Sequence, residues 1–412
     1  MRVALLSYRS KPFCGGQGVY VRHLSRALTD LGHFVEVFSG PPYPLLDDDI
    51  PCTELPSLDL YREPDPFRFP HPREFRSPID ALEFAVMCTA GFPEPLTFSV
   101  RAWRHLRNRT DEFDIVHDNQ SLGYGLLGIE RLGLPVVATL HHPVTVDRRF
   151  ELAAASWRRS LSLRRWYGFT RMQGRVVRRL PAVATVSAAS YDDIVTEFGV
   201  QENRLRVIPN GVDSDVFSPG DAAARVPGRV VATTSADVPL KGLVPLLEAV
   251  AKLRTERDVE LVLVGTPKVG GLADATLDRL DLREHVRWVN GLSDAALADV
   301  LRSAEVAVVP SLYEGFSLPA IEAMACGTAL VATTAGALPE VVGPDGVAAL
   351  HVPPGDPDAL AVAIGRLLDD ARLRAALGAG GRQRVLERYT WHAAARATAE
   401  MYADVVSSQH AC

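Results

Sequence analysis

Short unbroken apolar runs alternate along this chain with longer stretches in which apolar residues recur every three or four positions. That is the pattern of strands alternating with amphipathic helices. Residues 3–7 read as a first strand. Val19, Tyr20, Leu24, Ala27, Leu28 and Leu31 then share one helical face, and Gly32 supplies a stop. A strand at 34–38 closes a βαβ unit. The alternation resumes with a strand at 115–117, a helix from Leu122 and a strand at 136–140. A long helix, a strand at 183–187, a helix from Ala189 and a strand at 206–208 follow. Residues 41–100 differ, being rich in Pro and aromatics without a sustained period. Their length predicts a functional insertion over the domain face rather than a plain loop.

A second series begins after the turn chemistry of Pro209-Asn210-Gly211-Val212-Asp213 and the boundary signal Ser218-Pro219-Gly220. Strands are expected at 230–234, 260–264, 286–289, 306–309 and 329–332, with helices at 243–253, 294–303 and 319–325. Two successive βαβ series predict an α/β chain of two doubly wound, Rossmann-like parallel-sheet domains. Ligands of such sheets bind beyond the carboxyl ends of the strands. With two domains, the expected site is the cleft between them.

Bulk properties narrow this picture. A length of 412 residues fits two domains of about 200 residues each. Hydrophobic content of 47% with 23% charged residues is that of a globular protein. A net charge of −6 provides no basic field for nucleic acid. The cations are nearly all Arg, the lysines being Lys11, Lys241, Lys252 and Lys268. Cys14, Cys52, Cys88, Cys326 and Cys412 are dispersed without metal or redox spacing, which predicts a reducing cytoplasm rather than a disulfide framework. The N-terminal apolar run is too short for a signal peptide, and no apolar run is long enough to span a membrane.

The chemistry concentrates between Glu314 and Glu322, with Gly315, Phe316, Ser317 and Leu318 after the first carboxylate and Pro319 before the second. The apolar run 306–309 places Glu314 beyond a strand end, and Pro319 opens a helix with Glu322 expected in its first turn. The free backbone amides of a strand-to-helix loop make an anion site. Flanked by two hydrogen-bond-accepting carboxylates, that site suits a ligand with both phosphate and hydroxyl groups, such as a nucleotide sugar. The same spacing also fits a Glu that merely complements a helix dipole.

Other signals are weaker alone. Gly15-Gly16, between the first strand and its helix, serves either a phosphate or a tight turn, and lacks the dinucleotide-fingerprint spacing. Lys241 precedes a helix, where a cation is unfavourable unless an anion bridges it, or it is a solvated surface residue. His141 and His142 end the strand at 136–140, so one of them faces the ligand or both are structural. Asp47-Asp48-Asp49 reads as a solvated loop rather than a metal site. Residues 157–179 crowd Arg158, Arg159, Arg164 and Arg165 among Trp157, Leu161 and Trp166. That composition suits an anionic lipid surface, a solvated helix face or a clamp on an anionic acceptor.

Together these motifs resemble the retaining glycosyltransferases of family four, which have the GT-B fold. The similarity covers nearly the whole chain and is weakest over 41–110. Glu314 to Glu322 is its most specific motif. The segment 207–213 with Phe217 resembles the family's interdomain segment, Thr139-Leu140-His141 its strand-end Thr-x-His, and Tyr389-Thr390-Trp391 the return to the N-terminal domain. The resemblance implies an N-terminal, acceptor-side domain over 1–210, completed by a helix at 391–412, and a donor-binding domain over 211–390. It implies transfer of a hexose from a UDP- or GDP-type donor to an acceptor hydroxyl of a glycan, lipid or metabolite, with retention and without metal or cofactor. Glu322 would take the ribose and Glu314 a donor-sugar hydroxyl. Amides of Phe316, Ser317 and Leu318 would hold the distal phosphate and Lys241 would neutralise it. Gly15 and Gly16 would let the N-terminal domain close, and His141 would contact the sugar near its reacting carbon. One departure stands out, since the family's usual Arg five residues before the Lys is Ala236 here, with Asp237 beside it. That leaves a nucleotide-sugar-binding protein without catalysis, or a GT-B epimerase or phosphorylase, as alternatives. The expected location is cytoplasmic, with peripheral membrane contact through 157–179.

Overall fold

The computed structural model describes residues 1–11, 16–221, 224–234 and 238–410. Its contacts divide the chain into two compact units. One comprises Met1–Val186, Ser190–Ile208 and Ala395–Cys412, and the other Ser187–Ala189 with Pro209–Ala394.

The first unit is built on seven strands, β1 (Arg2–Ser7), β2 (Phe34–Ser39), β3 (Cys52–Glu54), β4 (Ile115–Asn119), β5 (Val136–Leu140), β6 (Ala182–Thr185) and β7 (Leu205–Val207). They pair in the order β3-β2-β1-β4-β5-β6-β7, all parallel. Both faces of the sheet are covered, so β4 and β5 are buried at every residue, including His117, Asp118 and Asn119 of β4. The second unit repeats the plan with β8 (Arg229–Thr233), β9 (Glu260–Val264), β10 (Val286–Val289), β11 (Val306–Val309), β12 (Ala329–Thr333) and β13 (Ala349–Val352). Its order is β10-β9-β8-β11-β12-β13, again parallel. In each sheet the strand order reverses between two neighbours, β1 and β4 in the first and β8 and β11 in the second. That crevice is where doubly wound sheets bind ligands.

Three expectations need correction. The stretch 41–100 is not irregular throughout, because it holds β3, the helix Pro78–Cys88 and most of the helix Glu94–Leu106. Its helical period was masked by charge: Asp80 and Glu83 are buried against Arg101 of the next helix, at 2.6 and 2.5 Å. The single long helix after β5 is broken into Thr145–Ala154, Trp157–Trp166 and Thr170–Val177. Trp166 turns out of that line into an aromatic cluster with Tyr61, Phe67 and Phe92, ring centroids 5.2–5.9 Å away. Strand β13 was not anticipated, since its alternation is cut by His351. Among the described residues no helix is long and apolar enough to cross a membrane.

Candidate functional site

In the second unit the crevice between β8 and β11 gathers the strongest sequence signals. Lys241 lies in the turn after β8 and Glu314 in the loop after β11. Lys241 Nζ donates to Glu314 Oε1 at 2.8 Å, and Ser311 Oγ donates to the same oxygen at 2.8 Å. Glu314 is buried while Lys241 is partly exposed. An ammonium has three donors. Among the described residues, one is spent on Glu314 and two remain for a ligand. The approach of the two turns is tight. Gly242 has φ +66°, and a Cβ there would lie 1.8 Å from the carbonyl oxygen of Pro310. Gly336, at φ +55°, passes the carbonyl of Glu314 closely enough that a Cβ would sit 2.2 Å away. Neither position tolerates a side chain, so both glycines are conditions of the pair.

The loop from Gly315 to Ser317 leads into the helix Leu318–Ala325. Ser317 caps it, accepting from the amide of Ala320, and is held at φ 94° and buried. The amides of Phe316, Ser317 and Leu318 make no hydrogen bond among the described residues. They are the unsatisfied donors at the positive end of the helix. Phe316 is buried edge-on against Tyr389, ring centroids 5.6 Å apart. Because the helix starts at Leu318 rather than Pro319, Glu322 stands in its second turn and not its first. Its half-buried carboxylate makes no hydrogen bond or ion pair among the described residues. Burial, and secondarily the charge of Asp294, push its pKa up to about 7. A carboxylate held that way is a hydrogen-bond acceptor awaiting a donor.

In the first unit His141 follows β5, beside the crevice of its own sheet. Its Nε2 lies 2.8 Å from Asn119 Oδ1, and its backbone amide donates to Gln120 Oε1 at 2.8 Å. Tyr20 meets the ring edge-on, centroids 4.5 Å apart. Burial, with the neighbouring His142, lowers the His141 pKa to about 4, so the ring is neutral near pH 7. Asn119 Oδ1 can only accept, so the proton is on Nε2 and Nδ1 keeps its lone pair. His142 instead pairs with Asp147 at 2.8 Å. Beneath them runs a buried chain in which Tyr20 Oη and His117 Nε2 both bond Thr139 Oγ1 at 2.8 Å, and Tyr402 Oη bonds His117 Nδ1 at 2.5 Å. Gly16 is the first residue of the helix Gly16–Asp30 rather than part of a loop, and Gly15 lies outside the described residues. The glycine with a steric reason is Gly18, whose Cβ would meet the Lys11 carbonyl oxygen at 2.2 Å.

Sequence reasoning therefore named Lys241, Glu314, Glu322 and His141, and missed Ser311, Asn119 and Gln120. All three follow or end apolar strands, so strand-end position was the signal that would have found them. Ala236 and Asp237 lie outside the described residues. Asp47 pairs with Arg26 at 2.5 Å.

Two doubly wound parallel sheets, the second with an anion-ready helix start and an unpartnered carboxylate, are the architecture of the GT-B fold. The sequence matches the Glycosyltransferase Family 4 model over residues 14–216 and the Glycosyl transferases group 1 model over 228–370. It is 56% identical over 413 residues to the MMP α-(1→4)-mannosyltransferase of Mycolicibacterium hassiacum, with the full length of both chains aligned. It is 31% identical to D-inositol 3-phosphate glycosyltransferase 2 of Catenulispora acidiphila, over 97% of this chain and 94% of that one. The fold is shared with sucrose-phosphate synthase of Thermosynechococcus elongatus, at a TM-score of 0.75 and 24% identity over 99% of each chain. It is shared likewise with Anabaena HepE in complex with UDP-glucose, at 0.71 and 18% over 98% and 100%. The chain belongs to glycosyltransferase family 4, and it is a glycosyltransferase with the GT-B fold.

Proposed function

We propose that this enzyme transfers a hexose, with mannose as the first choice, from a nucleoside-diphosphate sugar to an acceptor hydroxyl with retention at the anomeric carbon. The observation that carries the reading is Glu322, a half-buried carboxylate without a protein partner on the helix whose first amides are unsatisfied. The name of the Mycolicibacterium hassiacum relative supports mannose and a glycan acceptor.

In this reading Glu322 accepts from the nucleotide ribose. The amides of Phe316, Ser317 and Leu318, with Gly315 before them, hold the distal phosphate, and Lys241 extends its free donors to the same group. Glu314 accepts from a hydroxyl of the transferred sugar. As the bond to the sugar breaks, negative charge grows on the diphosphate, and fixed donors stabilise it without reorganising. The leaving phosphate takes the proton of the attacking acceptor hydroxyl, so no protein base is required. Neutral His141 offers Nδ1 as an acceptor to a sugar hydroxyl near the reacting carbon, and Gly15 and Gly16 admit the phosphate closely. The reaction requires no cofactor and no metal, the sugar nucleotide being a co-substrate. The enzyme works in the cytoplasm. The helix Trp157–Trp166, which exposes Trp157 (71%) and Leu161 (61%) among four arginines, rests on anionic lipid.

Ala236 favours a second reading, a protein that binds the donor without turning it over. Thermal stabilisation by UDP-, GDP- and ADP-hexoses, followed by nucleotide release with oligosaccharide acceptors, separates the two. Stabilisation with release supports the transferase, and stabilisation without release supports the second reading. No stabilisation by any sugar nucleotide would sink both.

A further inference from the structure

Beside the edge strand β3 the first unit holds a cavity of about 490 Å³ that the transfer site does not use. That volume is within the range of small-molecule sites. Leu55 and Pro56, directly after β3, and Ile79 form its apolar wall, while Arg76, Arg101 and Arg104 supply its charge. The acids that line it are already partnered, and of the neighbouring Glu83 only the buried Oε1 makes no hydrogen bond. Asp80 accepts from Arg101 and from the amides of Arg76 and Ser77, and Glu74 is paired with Arg68. The cations are not fully partnered. Arg76 and Arg104 have no side-chain partner among the described residues. The Arg101 side chain is only 10% exposed, and its Nη2 serves both Asp80 and Glu83. Its Nε and Nη1 make no bond among the described residues, although the residue lines the cavity. A buried guanidinium with spare donors, reinforced by two more at the mouth, leaves a surplus of donors over acceptors that an oxyanion satisfies.

The sheet places this cavity away from His141. Four strand spacings separate β5, which His141 follows, from β3. At about 4.8 Å each this is about 19 Å, a span that no monosaccharide bridges. We propose that the cavity is a second ligand site, which takes an oxyanion, carboxylate or phosphate ester, at the far end of a long glycosyl acceptor. This rests on the transferase reading above for the word acceptor, and on the cavity alone for the oxyanion.

Binding of mannose 6-phosphate, glucuronate and unmodified mannose to the full chain, followed by calorimetry or ligand-observed NMR, tests the site without turnover. Arg104→Glu and Pro56→Trp, both at exposed positions, change and fill it, and unchanged melting temperatures confirm folding. The expected result is binding of one or both anions, with mannose at least tenfold weaker. Each variant should weaken anion binding tenfold or more and leave stabilisation by sugar nucleotides unchanged. Preference for the phosphate or for the carboxylate identifies the source of the oxyanion. Equal binding of mannose and the anions, binding indifferent to both variants, or no binding of either anion overturns the site. Loss of sugar-nucleotide stabilisation in the unaltered chain would instead overturn the transferase reading, and leave the anion result to stand by itself.

Discussion

Lys241 and Glu314, which are 73 positions apart in sequence, meet in a 2.8 Å ion pair because β8 and β11 are neighbours at the reversal of strand order. The pair ties together the turn after β8 and the loop after β11. Lys241→Ala leaves a buried carboxylate without its cation, and Glu314→Gln leaves the ammonium without its anion. Each single change is expected to abolish most transfer and cost about 1–3 kcal/mol of stability. A double-mutant cycle by chemical denaturation should return a coupling of about 0.5–3 kcal/mol. Strict additivity would mean the two groups do not interact.

Glu322 is predicted to make donor binding depend on pH. Its folded pKa is raised to about 7, so the folded state holds the proton more tightly than the unfolded chain. The resulting penalty is absent below the unfolded carboxylate pKa of 4.5, grows as pH rises from there to about 7, and is complete above it. Glu322→Gln should therefore gain melting temperature over the native enzyme at pH 8, gain less at pH 5.5 and gain little at pH 4. A hydroxyl donating to the carboxylate favours its charged form. Nucleotide affinity should accordingly rise about three- to tenfold from pH 6 to pH 8, and Glu322→Gln should remove that slope. A flat profile in the native enzyme would remove the ribose assignment.

Asn119 is a positioning residue for His141, whose Nε2 proton it accepts. Because the His141 pKa is depressed to about 4, this ring should add no inflection to the rate profile between pH 6 and 8. Asn119→Leu frees the imidazole to rotate. It should lower kcat by about 10- to 100-fold with a smaller change in donor affinity, and Asn119→Gln should restore part of it. Equal losses in kcat and in donor binding would point to a merely structural residue.

Gly242→Ala tests the close approach beneath Lys241. The added methyl would enter the Pro310 carbonyl, at a left-handed φ. A loss of about 2 kcal/mol or more is expected, with a corresponding fall in the melting temperature and in nucleotide binding. A variant as stable as the native enzyme would show that the two turns are not held this closely.

Membrane contact predicts flotation with vesicles containing anionic lipid at low salt, released by raising the salt. Arg158→Glu with Arg159→Glu should abolish it while leaving sugar-nucleotide binding intact. Failure of the native enzyme to float under any of these conditions removes the lipid surface as a partner.

The elements most legible in sequence were the buried parallel strands and the helices between them. Residues 260–264, 286–289, 294–303 and 306–309 form the expected elements over those spans. Their apolar patterning is local, set by residues a few positions apart. The stretch 41–100 was less legible because its helices bury acids, Asp80, Glu83 and Glu94, alongside their apolar residues. Asp80 and Glu83 look solvated until Arg101 is brought to them from the next helix. The same holds for Trp166, whose exit from a helical line depends on Tyr61 and Phe92 from distant positions.

The sequence alone determined the two series of strands and helices, and with them which residues end strands and which helix opens at an anion-ready loop. Periodicity and turn chemistry act over a few residues, so they are written locally. Tertiary structure alone decided that Lys241 pairs with Glu314, that Glu322 is left without a partner, and that Asn119 sets the tautomer of His141. These relations depend on which strands become neighbours and on how deeply each polar group is withdrawn from water. Both are properties of the packed sheet, and no local stretch of chain contains them.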